Sequence, residues 1–149
     1  MRPRCLLPVL WLAVCLGTLL ATRAETPYDK IIVETSSTSI YIGKVTLNVA
    51  PLSRKDGIFS GDYKAKVFPY WFMSEHGTFR MKVSDEDLAR VAKGEAVDFT
   101  GEAENNGHEA RKISGRATPD DATHGKIKVR IFVTEKIQLV FNTTYRFGD

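Results

Sequence analysis

The sequence predicts an all-β protein of about eight antiparallel strands in a meander that closes as a barrel, with one short helix. Apolar and polar residues alternate over most of the chain after residue 30, and turn-forming residues separate the alternating runs. Alternation gives each strand one apolar face, which a barrel or a sandwich would bury. We favour the barrel because eight strands suffice for closure and most connections look like local hairpins; a sandwich is the alternative.

The first 24 residues have the three parts of a secretory signal. Arg2 and Arg4 form a basic start, an apolar run of 15 residues extends from Leu6 to Leu20, and Ala24 offers a small residue for cleavage. Such a run is shorter than the roughly 20 residues that a membrane-spanning helix needs. We therefore expect residues 1–24 to be cleaved, which leaves one domain over residues 25–149 with no integral membrane span. We expect this domain to be secreted or periplasmic.

Charge and cysteine content change once that segment is removed. The whole chain has 21 Lys and Arg against 18 Asp and Glu, but three of these arginines lie in residues 1–24, so 18 cations balance 18 anions in the remainder. Cys5 and Cys15, the chain's two cysteines, also lie there. The composition of residues 25–149 therefore excludes a disulfide scaffold, a thiol enzyme and a cysteine-ligated metal site.

Eight alternating runs predict the strands. In the run 39 to 49, for example, Tyr41, Val45, Leu47 and Val49 are expected on the apolar face. The weakest runs are Ile31 to Glu34 and the polar stretch from His108 to Ala117. The other predicted strands are 57 to 68, 78 to 83, 95 to 103, 126 to 134 and 137 to 147.

Turn chemistry separates these runs. Asn105-Asn106-Gly107 predicts a hairpin, because these residue types tolerate positive φ. Arg54 to Gly57 and Pro119 to Gly125 are expected to form longer loops.

One segment, near residues 84–93, has helical periodicity. Ser84 can cap a helix with Asp87 three residues on, and Leu88, Val91 and Ala92 form a narrow apolar stripe before Gly94. The acidic residues at its start are explained by the helix dipole and not by an active site.

A membrane-embedded barrel is an alternative for an exported chain with alternating strands. Each strand would then need an apolar face toward lipid about 25 Å tall. The run from His108 to Ala117 carries charged residues on both faces, which argues against that alternative.

Residue types that would support catalysis are few. His76, His108 and His124 lie in or beside predicted loops, where we expect solvated side chains. No metalloprotease, nucleophile-elbow, phosphate-loop or dinucleotide motif is present. We therefore predict no enzyme activity, no catalytic residue, no metal site and no cofactor.

An aromatic segment is the most unusual local feature. Phe68 and Pro69 precede Tyr70, Trp71, Phe72 and Met73, and alternation fails there. Because Pro69 cannot donate to a strand ladder, these residues are expected on a loop at one end of the sheet. They are predicted either to plug that end or to form the rim of an apolar pocket, with Tyr70, Trp71, Phe72 and Met73 as ligand-binding residues.

Cations on the polar strand faces would form a basic stripe if their strands were neighbours. Lys64 and Lys66, Arg80 and Lys82, and the group Lys126, Lys128 and Arg130 are the candidates. With residues 25–149 near zero net charge and an exported destination, we expect no nucleic-acid partner.

Residues 97–129 resemble the YceI-like family. The similarity is carried by Val97-Asp-Phe-Thr100, Ile113-Ser-Gly-Arg-Ala-Thr118 and Gly125-Lys-Ile-Lys-Val129. The resemblance implies an exported, lipocalin-like antiparallel barrel that holds a long apolar molecule in its lumen. No binding residue is carried over, because no ligand motif of that family matches here.

These observations predict an exported, non-enzymatic protein that binds an apolar or lipid-like small molecule. The alternative is a cell-envelope protein that docks on another protein through a sheet edge or the aromatic loop.

Overall fold

Ten β-strands and one α-helix form the structure of residues 28–148, the part of the chain that the computed structural model describes. The predicted export signal, residues 1–24, lies outside the described residues. The elements are, in chain order, β1 (Lys30–Val33), β2 (Ser36–Ile40), β3 (Gly43–Val49), β4 (Leu52–Lys55), β5 (Ile58–Phe68), β6 (Glu75–Lys82), α1 (Asp85–Ala92), β7 (Val97–Asn105), β8 (Ala110–Pro119), β9 (His124–Phe132) and β10 (Gln138–Phe147).

The strands close into an antiparallel barrel. Neighbours follow the order β5, β6, β7, β8, β9, β10, β1, β4 and back to β5. The 11-residue β5 pairs with β6 along one side, and with both β3 and β4 along the other. Because β1 with β2, and β3 with β4, each act as one interrupted strand, the ten segments make eight positions around the barrel. The predicted closed barrel of eight antiparallel strands with one short helix is confirmed.

The barrel wall has one discontinuity, which we call the seam. Strand β1 pairs with β10 as far as Glu34. There the Glu34 amide donates a hydrogen bond to the Thr144 carbonyl at 3.0 Å, and the Thr143 hydroxyl donates one to the Glu34 carbonyl at 2.9 Å. Beyond this point β2 pairs with β3, and among the described strands no ladder joins β2 to β10, although Cα atoms of the two come within 8 Å. The seam is thus Ser36–Ile40 facing the first half of β10.

The alternating apolar residues point into the barrel as predicted. In β9, Ile127, Val129 and Ile131 are buried, while the lysines and the arginine between them are exposed. Each such side chain, when fully buried, contributes about 1.5–3 kcal/mol relative to an exposed position. The core also includes, among others, Ile31, Val45, Leu47, Leu52, Phe59, Tyr63, Phe79, Met81, Val83, Phe99, Ala103, Ile113, Phe141 and Tyr145.

Helix α1 closes one end of the barrel. Ser84 caps it by accepting a hydrogen bond from the Asp87 amide at 3.1 Å, as the sequence predicts. Leu88 and Val91 are buried against the barrel end, whereas Ala92 is exposed. The prediction that Ala92 belongs to the buried stripe was therefore wrong, because this short helix buries only the side that carries Leu88 and Val91.

Several predicted segments differ from the structure. The predicted loop from Pro119 to Gly125 spans only residues 120–123, because Pro119 ends β8 and His124 begins β9. The run 39 to 49 is a hairpin of β2 and β3 with Tyr41 and Ile42 in its turn, so Tyr41 is fully exposed and not part of the apolar face. The predicted long loop from Arg54 to Gly57 is a tight turn at Asp56 and Gly57, with φ of 53° and 78°. Two consecutive residues with positive φ are typical of a two-residue hairpin turn. The turn is therefore limited to Asp56 and Gly57, and Arg54 is part of β4.

The two ends of the barrel differ. At the closed end lie α1, the Asp56-Gly57 turn and the contact of the Tyr28 and Phe147 rings, whose centroids are 4.8 Å apart. At the opposite end, which we call the mouth, lie the turns β2–β3, β5–β6, β7–β8 and β9–β10.

Candidate ligand-binding site

A cavity of about 470 Å³ occupies the mouth half of the barrel interior. Its walls are inward-facing residues of β2, β3, β5, β7, β9 and β10, among them Leu47, Ala65, Val67, Leu139 and Phe141. Two further interior spaces measure only about 10 Å³ at mid-barrel and 20 Å³ under α1. Side chains therefore fill the closed half, and the mouth half holds a volume typical of small-molecule sites, about 300–1,000 Å³.

Four apolar residues line the cavity and are also exposed, so they form its rim. Tyr41 and Ile42 belong to the β2–β3 turn, Met73 to the β5–β6 connection and Ile137 to the β9–β10 connection. An apolar molecule entering the mouth would contact these side chains first.

Tyr63, Glu75 and Arg111 on the cavity wall form a polar cluster with Asn105. The Arg111 guanidinium donates to Glu75 through Nε at 3.1 Å and Nη2 at 2.9 Å, a bidentate pair. The same carboxylate accepts hydrogen bonds from the Tyr63 hydroxyl at 3.2 Å and from the Asn105 amide at 3.3 Å. Each Glu75 oxygen thus accepts two hydrogen bonds, and the cluster links β5, β6, β7 and β8.

The pair also shifts the ionisation of its members. Burial by itself raises the pKa of Glu75, but hydrogen bonds from Arg111 and Asn105 outweigh it and hold that pKa below the usual value. Burial raises the pKa of the Tyr63 hydroxyl, and the neighbouring Glu75 carboxylate raises it further. At neutral pH the cluster is one carboxylate, one guanidinium and two neutral groups, with no net charge.

The predicted ligand-binding residues lie at the mouth. Trp71, Phe72 and Met73 form a 3-10 turn after Tyr70, and the Phe72 ring meets both Tyr70 and Trp71 edge to face. Exposed fractions of 38% for Tyr70, 78% for Trp71, 69% for Phe72 and 50% for Met73 show that the segment does not plug the interior. Met73 lines the cavity, whereas Tyr70, Trp71 and Phe72 lie outside its lining.

Sequence reasoning missed the polar cluster, although its signal was present. Glu75 lies in phase with the buried Phe79 and Met81 of its strand, and Arg111 in phase with the buried Ile113. Opposite charges on the core face of two strands indicate an inward ion pair, because an unpaired charge there would be costly. The sequence alone did not show that the two strands lie close enough to pair.

A second, wider depression of about 670 Å³ lies on the outer face of the barrel beside α1. Its lining includes Lys82, Asp98, Arg116, Lys128 and Arg130, and Arg116 pairs with Asp98 at 3.3 Å. The charged side chains around this open depression make it a poor site for an apolar ligand.

The predicted basic stripe is divided. Lys64 and Lys66 lie on β5, whereas Lys126, Lys128 and Arg130 lie on β9, with three strands between them in either direction around the barrel. Lys64 and Lys66 therefore lie on the opposite side of the barrel from the β9 cations. Arg80 and Lys82 lie on β6, and Lys82 lines the same outer depression as Lys128 and Arg130.

The histidines His76, His108 and His124 are all exposed. Residues 28–148 hold no group of three His, Cys, Asp or Glu side chains placed to bind a metal ion. In the same part of the chain, no helix is long and apolar enough to cross a membrane.

No family model, curated protein or solved structure matches the chain. The resemblance of residues 97–129 to the YceI-like family therefore stays a prediction.

Proposed function

We propose that this protein is an exported, non-enzymatic binding protein that holds an apolar small molecule in the mouth of its barrel. The observation that carries the proposal is the cavity of about 470 Å³, whose walls are apolar apart from the polar cluster. Burying apolar ligand surface in such a cavity gives roughly 25 cal/mol for each Å² removed from water.

The polar cluster favours a ligand without charge. All four hydrogen bonds to Glu75 come from within the protein, and Arg111 is engaged by Glu75 and by the Val133 carbonyl at 3.2 Å. An anionic ligand would have to compete with Glu75 for Arg111, and a cationic one with Arg111 for Glu75. A neutral lipid-like or isoprenoid molecule competes with neither Glu75 nor Arg111.

The cavity's ionisable groups also support binding rather than catalysis. A carboxylate whose pKa is lowered is a weak base, a tyrosine whose pKa is raised is a weak acid, and arginine stays protonated. The cluster thus lacks a group that exchanges a proton readily near neutral pH.

Titration with the neutral fluorophore N-phenyl-1-naphthylamine tests this function. We expect saturable binding that a long-chain alcohol displaces better than the corresponding fatty-acid anion. Ala65→Phe should weaken binding at least about tenfold, because the added ring occupies cavity volume beside Tyr63 and Val67.

The matched control is Ala110→Phe, which adds the same ring at an exposed position near the start of β8. It should bind the probe as the wild type does, and both variants should unfold cooperatively. Equal binding by wild type and Ala65→Phe, or no saturable binding at all, would disprove the proposed site.

A further inference from the structure

The exposed apolar residues of this protein are concentrated at one end. Within residues 28–148 the large hydrophobic side chains that are exposed are all at the mouth except Ile58. Trp71 at 78%, Phe68 at 76% and Phe72 at 69% are the most exposed of the β5–β6 segment. A contiguous exposed apolar surface of this kind marks an interaction site.

Two neighbouring connections build this apolar surface. Strand pairing places Lys44 opposite Phe68, which brings the β2–β3 turn with Tyr41 and Ile42 beside the aromatic segment. The approach is close, since a Cβ on Gly43 would lie 2.0 Å from the Phe68 carbonyl oxygen. Tyr41, Ile42 and residues 68–73 therefore form one surface, which we call the aromatic tip.

Lysines lie next to the aromatic tip on the outer wall of the barrel, on the side away from the mouth. Lys44, Lys64 and Lys66 are exposed on the paired strands β3 and β5, where Thr46 lies opposite Lys66 and Asn48 opposite Lys64. Among the described residues none of the three lysines forms an ion pair. Acidic side chains of the mouth lie on other elements: Glu75 at the start of β6 is paired with Arg111, Glu104 and Glu109 belong to the β7–β8 hairpin, and Glu135 lies in the β9–β10 turn.

We propose that the aromatic tip docks on an anionic lipid surface, with Lys44, Lys64 and Lys66 at the level of the headgroup phosphates. Tryptophan and tyrosine favour the membrane interface, where the ring is buried and the polar atom stays hydrated. Each lysine near such a surface adds electrostatic attraction. The acidic β7–β8 side of the mouth stays in water. This docking goes beyond ligand binding, and it holds whether or not the cavity takes a ligand.

Sedimentation of the full chain with vesicles tests the docking. One set of vesicles contains phosphatidylcholine alone, and the other contains phosphatidylcholine with phosphatidylglycerol. We expect binding to the anionic vesicles that Trp71→Ala weakens about tenfold. The double variant Lys64→Gln with Lys66→Gln should weaken the same binding roughly twentyfold and should leave binding to the neutral vesicles unchanged.

Two matched controls lie away from the mouth. Ile58→Ala removes the exposed apolar side chain at the other end of β5, and the double variant Lys126→Gln with Lys128→Gln removes two exposed lysines from β9. Both should bind the vesicles as the wild type does. Residues 1–24 contribute equally to every variant, so the differences report on the mouth.

The proposal is overturned if the wild type does not bind the anionic vesicles, or if Trp71→Ala binds them as well as Ile58→Ala does. It is also overturned if the wild type ignores vesicles but captures an envelope protein that Trp71→Ala does not, because the tip would then serve a protein partner. All substituted side chains are exposed, so unchanged thermal unfolding should accompany every variant.

Discussion

Arg111 links three parts of the mouth: its own strand β8, strand β6 and the segment after β9. Its guanidinium binds Glu75 of β6 through two nitrogens and the Val133 carbonyl after β9 through the third. The side chains of Arg111 and Glu75 are 18% and 23% exposed, so the pair is shielded but not sealed from water. The loss of one partner should therefore cost less than the roughly 3–5 kcal/mol of a fully buried pair.

Glu75→Gln should lower the free energy of unfolding by about 1–3 kcal/mol at neutral pH, because Arg111 loses its counter-charge. The folded state lowers the pKa of Glu75, so the ionised carboxylate stabilises the fold above its unfolded pKa of about 4.3. That stabilisation is lost as the pH falls through the lower folded pKa. The difference between wild type and variant should therefore shrink in acid.

Urea unfolding at neutral pH and at about pH 3 measures this difference. Glu135→Gln is the control, since Glu135 is exposed in the β9–β10 turn and forms no ion pair within residues 28–148. A wild-type advantage over Glu75→Gln that stays constant with pH would contradict the assigned role of the pair.

Individual elements differ in how far the sequence alone predicts them. Alternation located β5, β9 and β10 well, because their inner faces are almost wholly apolar. It placed the start of β6 at residue 78 and not at Glu75, because Glu75 and Gly77 interrupt the apolar inner face of that strand. It failed for β2, whose short polar sequence Ser-Ser-Thr-Ser gives no contrast between its two faces, and for β4, which has only four residues. Both belong to interrupted strands, so each offers only a short run of residues in which alternation could be recognised.

The candidate site was predicted in part. Pro69 and the failure of alternation over residues 68–73 were enough to expect a loop at one end of the sheet. The cavity was not predictable, because it depends on where β1 gives way to β2 and on which inward side chains meet across the barrel. Such contacts are set by register over the whole sheet and not by any local pattern.

The cap of α1 offers a test at the scale of an element. Ser84→Ala removes the acceptor for the Asp87 amide and should lower the free energy of unfolding by about 1 kcal/mol. The effect should appear in global unfolding, because Leu88 and Val91 cover the core at the closed end of the barrel. The comparison is Ser53→Ala, at an exposed position of β4, which should change stability little. Equal effects of the two substitutions would show that the Ser84 cap does not stabilise the fold.

The whole molecule combines a packed closed half with an open mouth and a seam. Strands β6 to β9 are each hydrogen-bonded on both sides, whereas β2 has one partner strand and lies beside β10 without a ladder. Stability should therefore be unequal around the barrel, with the lowest resistance to local opening at the seam.

Amide hydrogen exchange should show this inequality. Amides of β2 that point away from β3 should exchange at least about a hundredfold faster than those at the centre of β8, which lies between β7 and β9. Exchange followed by NMR or mass spectrometry resolves the two segments. Uniform protection around the barrel would mean that the seam is closed in solution.

The contact between Tyr28 and Phe147 has a practical consequence. Both rings lie at the end opposite the mouth, and the Gly148 amide donates to the Lys30 carbonyl at 3.0 Å. A tag or surface linker attached to the chain beyond residue 148 would leave from that end. Protein immobilised in this way would present its opening outward, so its mouth would remain accessible to vesicles and small molecules flowing past.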